Sequence, residues 1–213
     1  MAEAQYGSFN ALRSLVRQRD PRERCELCGA GLHGDHQHLF EPIARKLLCT
    51  CDACAVLFHE HGETRYKRVP RRIRGIRNFQ MTGAQWDDLM IPIGMAFFVK
   101  SSVEDKILAF YPSPAGATES MPSLTAWEEI VNQNPILHEM EPDVEALIAN
   151  RLEPDGGAER GEYYSAPIDK CYELVGLIRS HWRGLSGGAE VWKQIGSFFD
   201  ELKTRASWES AHA

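Results

Sequence analysis

Two Cys-x-x-Cys pairs, Cys25-Glu-Leu-Cys28 and Cys51-Asp-Ala-Cys54, stand 22 residues apart and constrain this chain more than any other feature. Two cysteines three apart on a tight turn aim both sulfurs at one centre, and Gly29 relieves the backbone of the first turn. Two such turns joined by a hairpin make a tetrahedral four-sulfur cage. That is the donor set of a structural zinc site, which needs no open coordination position. Cys25, Cys28, Cys51 and Cys54 are therefore expected as metal ligands.

Four thiolates also hold a single iron, as in rubredoxin-like electron carriers, and geometry alone does not separate the two metals. Ala55 stands where a rubredoxin usually has Gly, and the Pro that follows its first cysteine is missing; both weigh toward zinc, with iron as the alternative. A redox disulfide is the other use of a lone Cys-x-x-Cys, but two pairs together speak against it. Cys49 precedes Cys51 by two residues, so on a strand it shares that face and reads as an alternate ligand or as a small buried apolar residue. Cys171 falls on the apolar face of a helical pattern and reads as buried. His33, His36, His38, His59 and His61 crowd the same region. On strands, His36 and His38 point one way, as do His59 and His61. Such pairs bind a second metal, move protons, or simply donate to backbone near the first site.

Six cysteines in one chain need a reason other than disulfides if the compartment is reducing. The N-terminus, Met1-Ala-Glu-Ala-Gln, shows no basic stretch followed by an apolar run. No apolar run approaches the roughly 18 residues of a membrane helix. The expectation is a cytoplasmic protein with no membrane partner. Apolar residues at 43% and charged residues at 25% fit a soluble globular chain. Charge is uneven: residues 1–77 hold 14 Lys and Arg against 9 Asp and Glu, whereas residues 78–213 hold 10 against 21. That shift suggests a boundary near residue 77 and attraction between the two parts.

Residues 8–19 carry Phe9, Leu12, Leu15 and Val16 at helical spacing. Leu39-Phe40 and Leu47-Leu48 flank a turn at Glu41-Pro42 and predict a hairpin; Ala55–Phe58 suggests a further strand. Residues 64–77 read as a basic edge strand and linker. A helix from Ala84, two strands over 96–100 and 106–111, and helices over 124–132, 143–151, 168–182 and 189–205 follow. Pro112, Pro114 and Gly116 end the second of those strands, and the tail after Ala206 is expected to fray. The resulting expectation is an α+β protein: an N-terminal zinc-ribbon-like module joined to a helix-rich domain with a small antiparallel sheet. Its parts are an N-terminal helix (1–23), the module and basic linker (24–77), the α+β domain (78–206) and a tail (207–213).

The other candidate sites are weaker. Residues 65–77 hold seven basic residues with Tyr66 among them, a pattern suited to nucleic-acid phosphates or to pairing with the acidic second half. Gly184-Leu-Ser-Gly-Gly188 precedes a helix and reads as an anion cradle or as a helix-to-helix turn. Residues 111–120, with Ser113, Thr118, Glu119 and Ser120, form a recognition loop or a structural turn. Glu139, Glu141, Asp143 and Glu145 cluster where a helix start would favour carboxylates. Among hydrolase, metalloprotease and dinucleotide fingerprints none is present, so no catalytic residue is assigned.

Four stretches carry a resemblance over about residues 24–205. They are Cys25-Glu-Leu-Cys28, Leu48-Cys49-Thr-Cys51-Asp-Ala-Cys54-Ala, Phe110-Tyr-Pro-Ser-Pro-Ala-Gly-Ala-Thr-Glu-Ser120 and His181-Trp-Arg-Gly-Leu-Ser-Gly-Gly188. Together they resemble an uncharacterised bacterial family whose genes tend to sit beside those for nickel–iron uptake hydrogenases. The resemblance implies a place in maturation, assembly or electron supply for a hydrogenase, and a hydrogenase component as protein partner. The leading expectation is a non-enzymatic, zinc-binding accessory or interaction protein. A rubredoxin-like electron carrier and a nucleic-acid-binding protein are the alternatives.

Overall fold

A computed structural model describes residues 23–59, 65–121, 123–152 and 161–212. The expected helix over 8–19, His61 and the loop at 154–157 lie outside them. The first element is the expected hairpin. Strand β1 (Gln37–Glu41) and β2 (Lys46–Thr50) run antiparallel with Leu39 opposite Leu48 and Phe40 opposite Leu47. The short β3 (Lys67–Arg68) adds to the other side of β1 and completes a three-stranded sheet, ordered β2-β1-β3.

The rest of the strands build one larger sheet. They are β4 (Arg74–Arg77), β5 (Met95–Ser101), β6 (Lys106–Ser113), β7 (Gly116–Ser120), β8 (Glu145–Asn150), β9 (Glu162–Pro167) and β10 (Ser207–Ser210). Their order is β10-β4-β9-β8-β5-β6-β7, antiparallel throughout except for β10, which runs parallel to β4. The helices are α1 (Asp52–Leu57), α2 (Gly83–Asp88), α3 (Leu124–Gln133), α4 (Ile168–His181) and α5 (Gly188–Arg205), with a 3-10 turn at Pro135–Glu139. None of the helices in the described residues is long and apolar enough to cross a membrane.

Helices cover both faces of the large sheet. Phe97, Val99, Ala146, Ile148, Tyr164 and Ala166 meet Leu174 and Ile178 of α4 and Val191, Ile195, Phe198 and Leu202 of α5. The alternate residues Ala96, Phe98, Leu147, Ala149 and Tyr163 meet Trp86 of α2, Ile130 of α3, and Ile136 and Leu137 of the 3-10 turn. Strand alternation therefore feeds two cores, and each fully buried large apolar side chain contributes about 1.5–3 kcal/mol. Phe40, Val69 and Ile73 join the α4–α5 core, so the hairpin sheet is anchored to the rest.

This architecture corrects the expected fold class. The protein is not a helix-rich domain with a small antiparallel sheet; a seven-stranded mixed sheet dominates it, with a separate three-stranded sheet. The largest single difference is β8, expected as a helix over 143–151. Its sequence, Glu-Ala-Leu-Ile-Ala-Asn, holds good helix formers, but it lies between β5 and β9 and is buried on both faces. A strand covered on both sides loses the alternation that would reveal it. Pro112 to Gly116 do not end the sheet; they make a hairpin in which Ser113 faces Gly116 and β7 returns along β6. Residues 207–210 form an edge strand instead of a frayed tail. Its Trp208 stacks against Gly75, where an added Cβ would come within 2.6 Å of the indole.

The basic stretch faces the acidic part of the chain. Lys67 pairs with Asp143 at 2.6 Å, Arg72 with the buried Glu145 at 2.7 Å, and Arg74 with Glu139 at 2.6 Å. Arg77 lies over the Trp208 ring. The carboxylates at 139–145 thus lie opposite β3, β4 and the segment between them, and do not cap a helix.

Candidate metal centre

The first cysteine pair lies on a closed turn. Cys25 N–H donates to Ala30 at 2.8 Å, Gly29 N–H donates back to Cys25 at 2.8 Å, and Arg24 bridges to Gly31. Gly29 has φ +78° with open space around its Cβ position, so backbone conformation and not crowding requires glycine there.

The second pair corrects a sequence expectation. Ala55–Phe58 is not a strand: Cys51 stands in extended conformation just ahead of α1, and Cys54 follows within its first turn. Ala55 N–H donates to Cys51 and Phe58 N–H to Cys54, at 2.9 and 3.0 Å. Helical wrapping puts residues three apart on one side, which serves the two sulfurs as well as a tight loop would.

Glu26 fastens the first turn to β2. Its N–H donates to Cys49 at 2.9 Å, its carboxylate accepts from Cys49 N–H at 2.8 Å, and Lys46 reaches the same carboxylate at 3.0 Å. Burial pushes the Glu26 carboxyl up, but Lys46 and the Cys49 amide outweigh it and hold it below its usual range.

The four sulfurs of Cys25, Cys28, Cys51 and Cys54 all lie within 4.8 Å of one another. Cys28 and Cys51 are 3.7 Å apart. Sulfurs bonded tetrahedrally to zinc at about 2.3 Å stand roughly 3.8 Å from each other, so the donor set and its spacing fit such an ion. Cys25 and Cys54 are buried, Cys51 is half-buried and Cys28 is exposed. Burial raises the Cys25 thiol, but amides of Cys51, Cys28 and Leu27 more than offset this and bring it down to about 6. Cys54 goes the other way, pushed up by burial and by hydrogen bonding with the neighbouring thiols. A bound cation would compensate the charge of four thiolates held together here.

The remaining candidates separate. His36 and His38 lie beside Cys49, with one ligand atom of each within 4.8 Å of the others; His33 contributes its carbonyl to His36, and His59 is exposed. Cys171 is buried on α4, and burial pushes its thiol up. Ser113 and Thr118 bond each other across the β6–β7 turn, Ser120 donates to Leu89, and Glu119 pairs with Arg45. Gly184–Gly188 forms the turn between α4 and α5, closed by Arg183 N–H to Gly187. Sequence reasoning missed Asp169, which accepts from His38 Nδ1 at 2.9 Å across 131 residues of chain; no local pattern marks such a contact.

Over residues 24–206 the chain matches, and belongs to, the family described as "Family of unknown function (DUF5947)". No curated protein and no solved structure matches it.

Proposed function

We propose that Cys25, Cys28, Cys51 and Cys54 hold one structural zinc ion and that the protein acts as a non-enzymatic accessory or interaction protein. The convergence of four sulfurs within 4.8 Å carries this reading. Zinc would supply a cross-link between two turns that share little apolar surface. None of the six cysteines is in a disulfide, in keeping with a cytoplasmic protein. The partner implied by the sequence resemblance is a component of nickel–iron hydrogenase maturation or assembly. Nucleic-acid binding draws less support, because Lys67, Arg72 and Arg74 already engage carboxylates of the same chain.

Elemental analysis and a visible spectrum of protein from cells supplied with both metals test the reading. Colourless protein whose zinc falls by one equivalent per chain in Cys28→Ser supports it. Red protein that bleaches on reduction and loses its iron in Cys28→Ser would overturn it and make electron transfer the leading function.

A further inference from the structure

We propose that His36, His38 and Cys49 form a second metal site, which takes a divalent transition-metal ion of zinc type through two imidazole nitrogens and one thiolate. Strand geometry gathers these residues. His38 pairs with Cys49 across β1 and β2, and directly opposed residues share a face. His36 lies just ahead of β1, and its ring meets the His38 ring edge-on.

Both rings are held as a metal requires. His36 Nδ1 lies 2.9 Å from the His33 carbonyl oxygen, and His38 Nδ1 lies 2.9 Å from Asp169 Oδ2. Those oxygens only accept, so Nδ1 of each ring is the donor, and Nε2 is the nitrogen that a neutral imidazole offers to a metal. Metal-binding histidines are oriented in this way by carbonyl and carboxylate oxygens. The His36 side chain is 8% exposed, and its Nε2 is buried with no hydrogen-bond partner. An unpaired buried polar atom is costly, and coordination removes that cost. Edge-on contact between the two rings, with centroids 4.8 Å apart, accounts for their packing but not for the orphaned nitrogen.

Three protein ligands are one short of a closed tetrahedron, the count found where an ion keeps a position for water or an exchangeable ligand. His36, His38 and Asp169 also line a cleft of about 630 Å³. A three-ligand ion beside this cleft would differ from a closed four-cysteine site, and the assignment goes beyond the structural role proposed for that cluster.

Titration of the reduced, metal-stripped full-length chain with cobalt(II) tests the proposal. Two equivalents should bind per chain, one with a four-thiolate charge-transfer spectrum and one with a weaker, single-thiolate spectrum. His36→Ala and His38→Ala should each abolish the second equivalent. Persistence of the four-thiolate band in those variants shows that they fold. Asp169→Asn should weaken only the second equivalent, by about 10- to 100-fold. Conversely, Cys28→Ser should alter the four-thiolate spectrum and leave the histidine-dependent equivalent in place, which separates this proposal from the one above. A wild-type chain without a single-thiolate equivalent, or a second equivalent that survives both histidine substitutions, would overturn it.

Discussion

Around the four sulfurs the fully buried apolar cluster consists of Cys25, Leu32 and Cys54, with Leu27, Cys49 and Cys51 partly covered. Each face of the seven-stranded sheet, by contrast, packs a continuous layer of large apolar side chains under helices. Fixing the backbone costs about 1–2 kcal/mol per residue. The sheet offsets that cost by burial, but the cysteine turns cannot. On the metal-site reading proposed above, one region depends on donor atoms converging on an ion and the other on area removed from water, so each should fail under a different perturbation.

The largest contrast should come from metal removal. Chelation of the reduced protein should abolish amide protection at Cys25, Gly29 and Phe58 while Phe98, Leu147 and Tyr164 stay protected in hydrogen exchange. The linked free energy of a structural zinc site is on the order of 10 kcal/mol. Equal loss in both regions would erase the distinction. Next, Phe98→Ala removes a ring that is 0% exposed and packs on Trp86 and Trp127. It should cost about 3–5 kcal/mol in denaturant unfolding and leave metal content unchanged. Glu145→Ala strips the buried carboxylate from Arg72 and from Arg74, itself 6% exposed. Because Arg72 is half-exposed, the cost should fall near 3 kcal/mol, the low end for a broken buried pair.

The smallest effect sharpens the cysteine side. Glu26→Gln should cost about 1 kcal/mol. The Glu26 carboxyl is held below its ordinary value of 4.5. Its contribution is therefore complete above that value and disappears as pH falls through the lowered folded one. The stability difference between wild type and Glu26→Gln should shrink over that acid window; the subtraction cancels the pH dependence of the thiolates. A difference that stays constant would mean that the Lys46 and Cys49 contacts do not discriminate the charged form.

The same contrast governs what could be read from sequence. Cysteine spacing needs no knowledge of the fold, and the four sulfurs that it singles out do converge. Leu39-Phe40 and Leu47-Leu48 marked the hairpin because its turn is local, and the apolar stripes of α4 and α5 showed at helical spacing. In β8 the signal failed, since Ala146 and Ile148 enter one core while Leu147 and Ala149 enter the other. The closest local analogue of such a run is a buried helix. Asp169 and the pairing of β10 with β4 are products of distant folding, invisible to any window of neighbouring residues.

The position of β4 has a consequence for how the chain is made. Gly75 pairs with Tyr164 on one side and Trp208 on the other. A ribosome releases β4 long before either neighbour exists. The cysteine turns and their hairpin are complete by Cys54, so on the proposed metal-site reading they can assemble on the nascent chain before the large sheet exists. The large sheet must wait for β9 and β10 to emerge, with the arginines of β4 keeping its bare edge soluble in the interval.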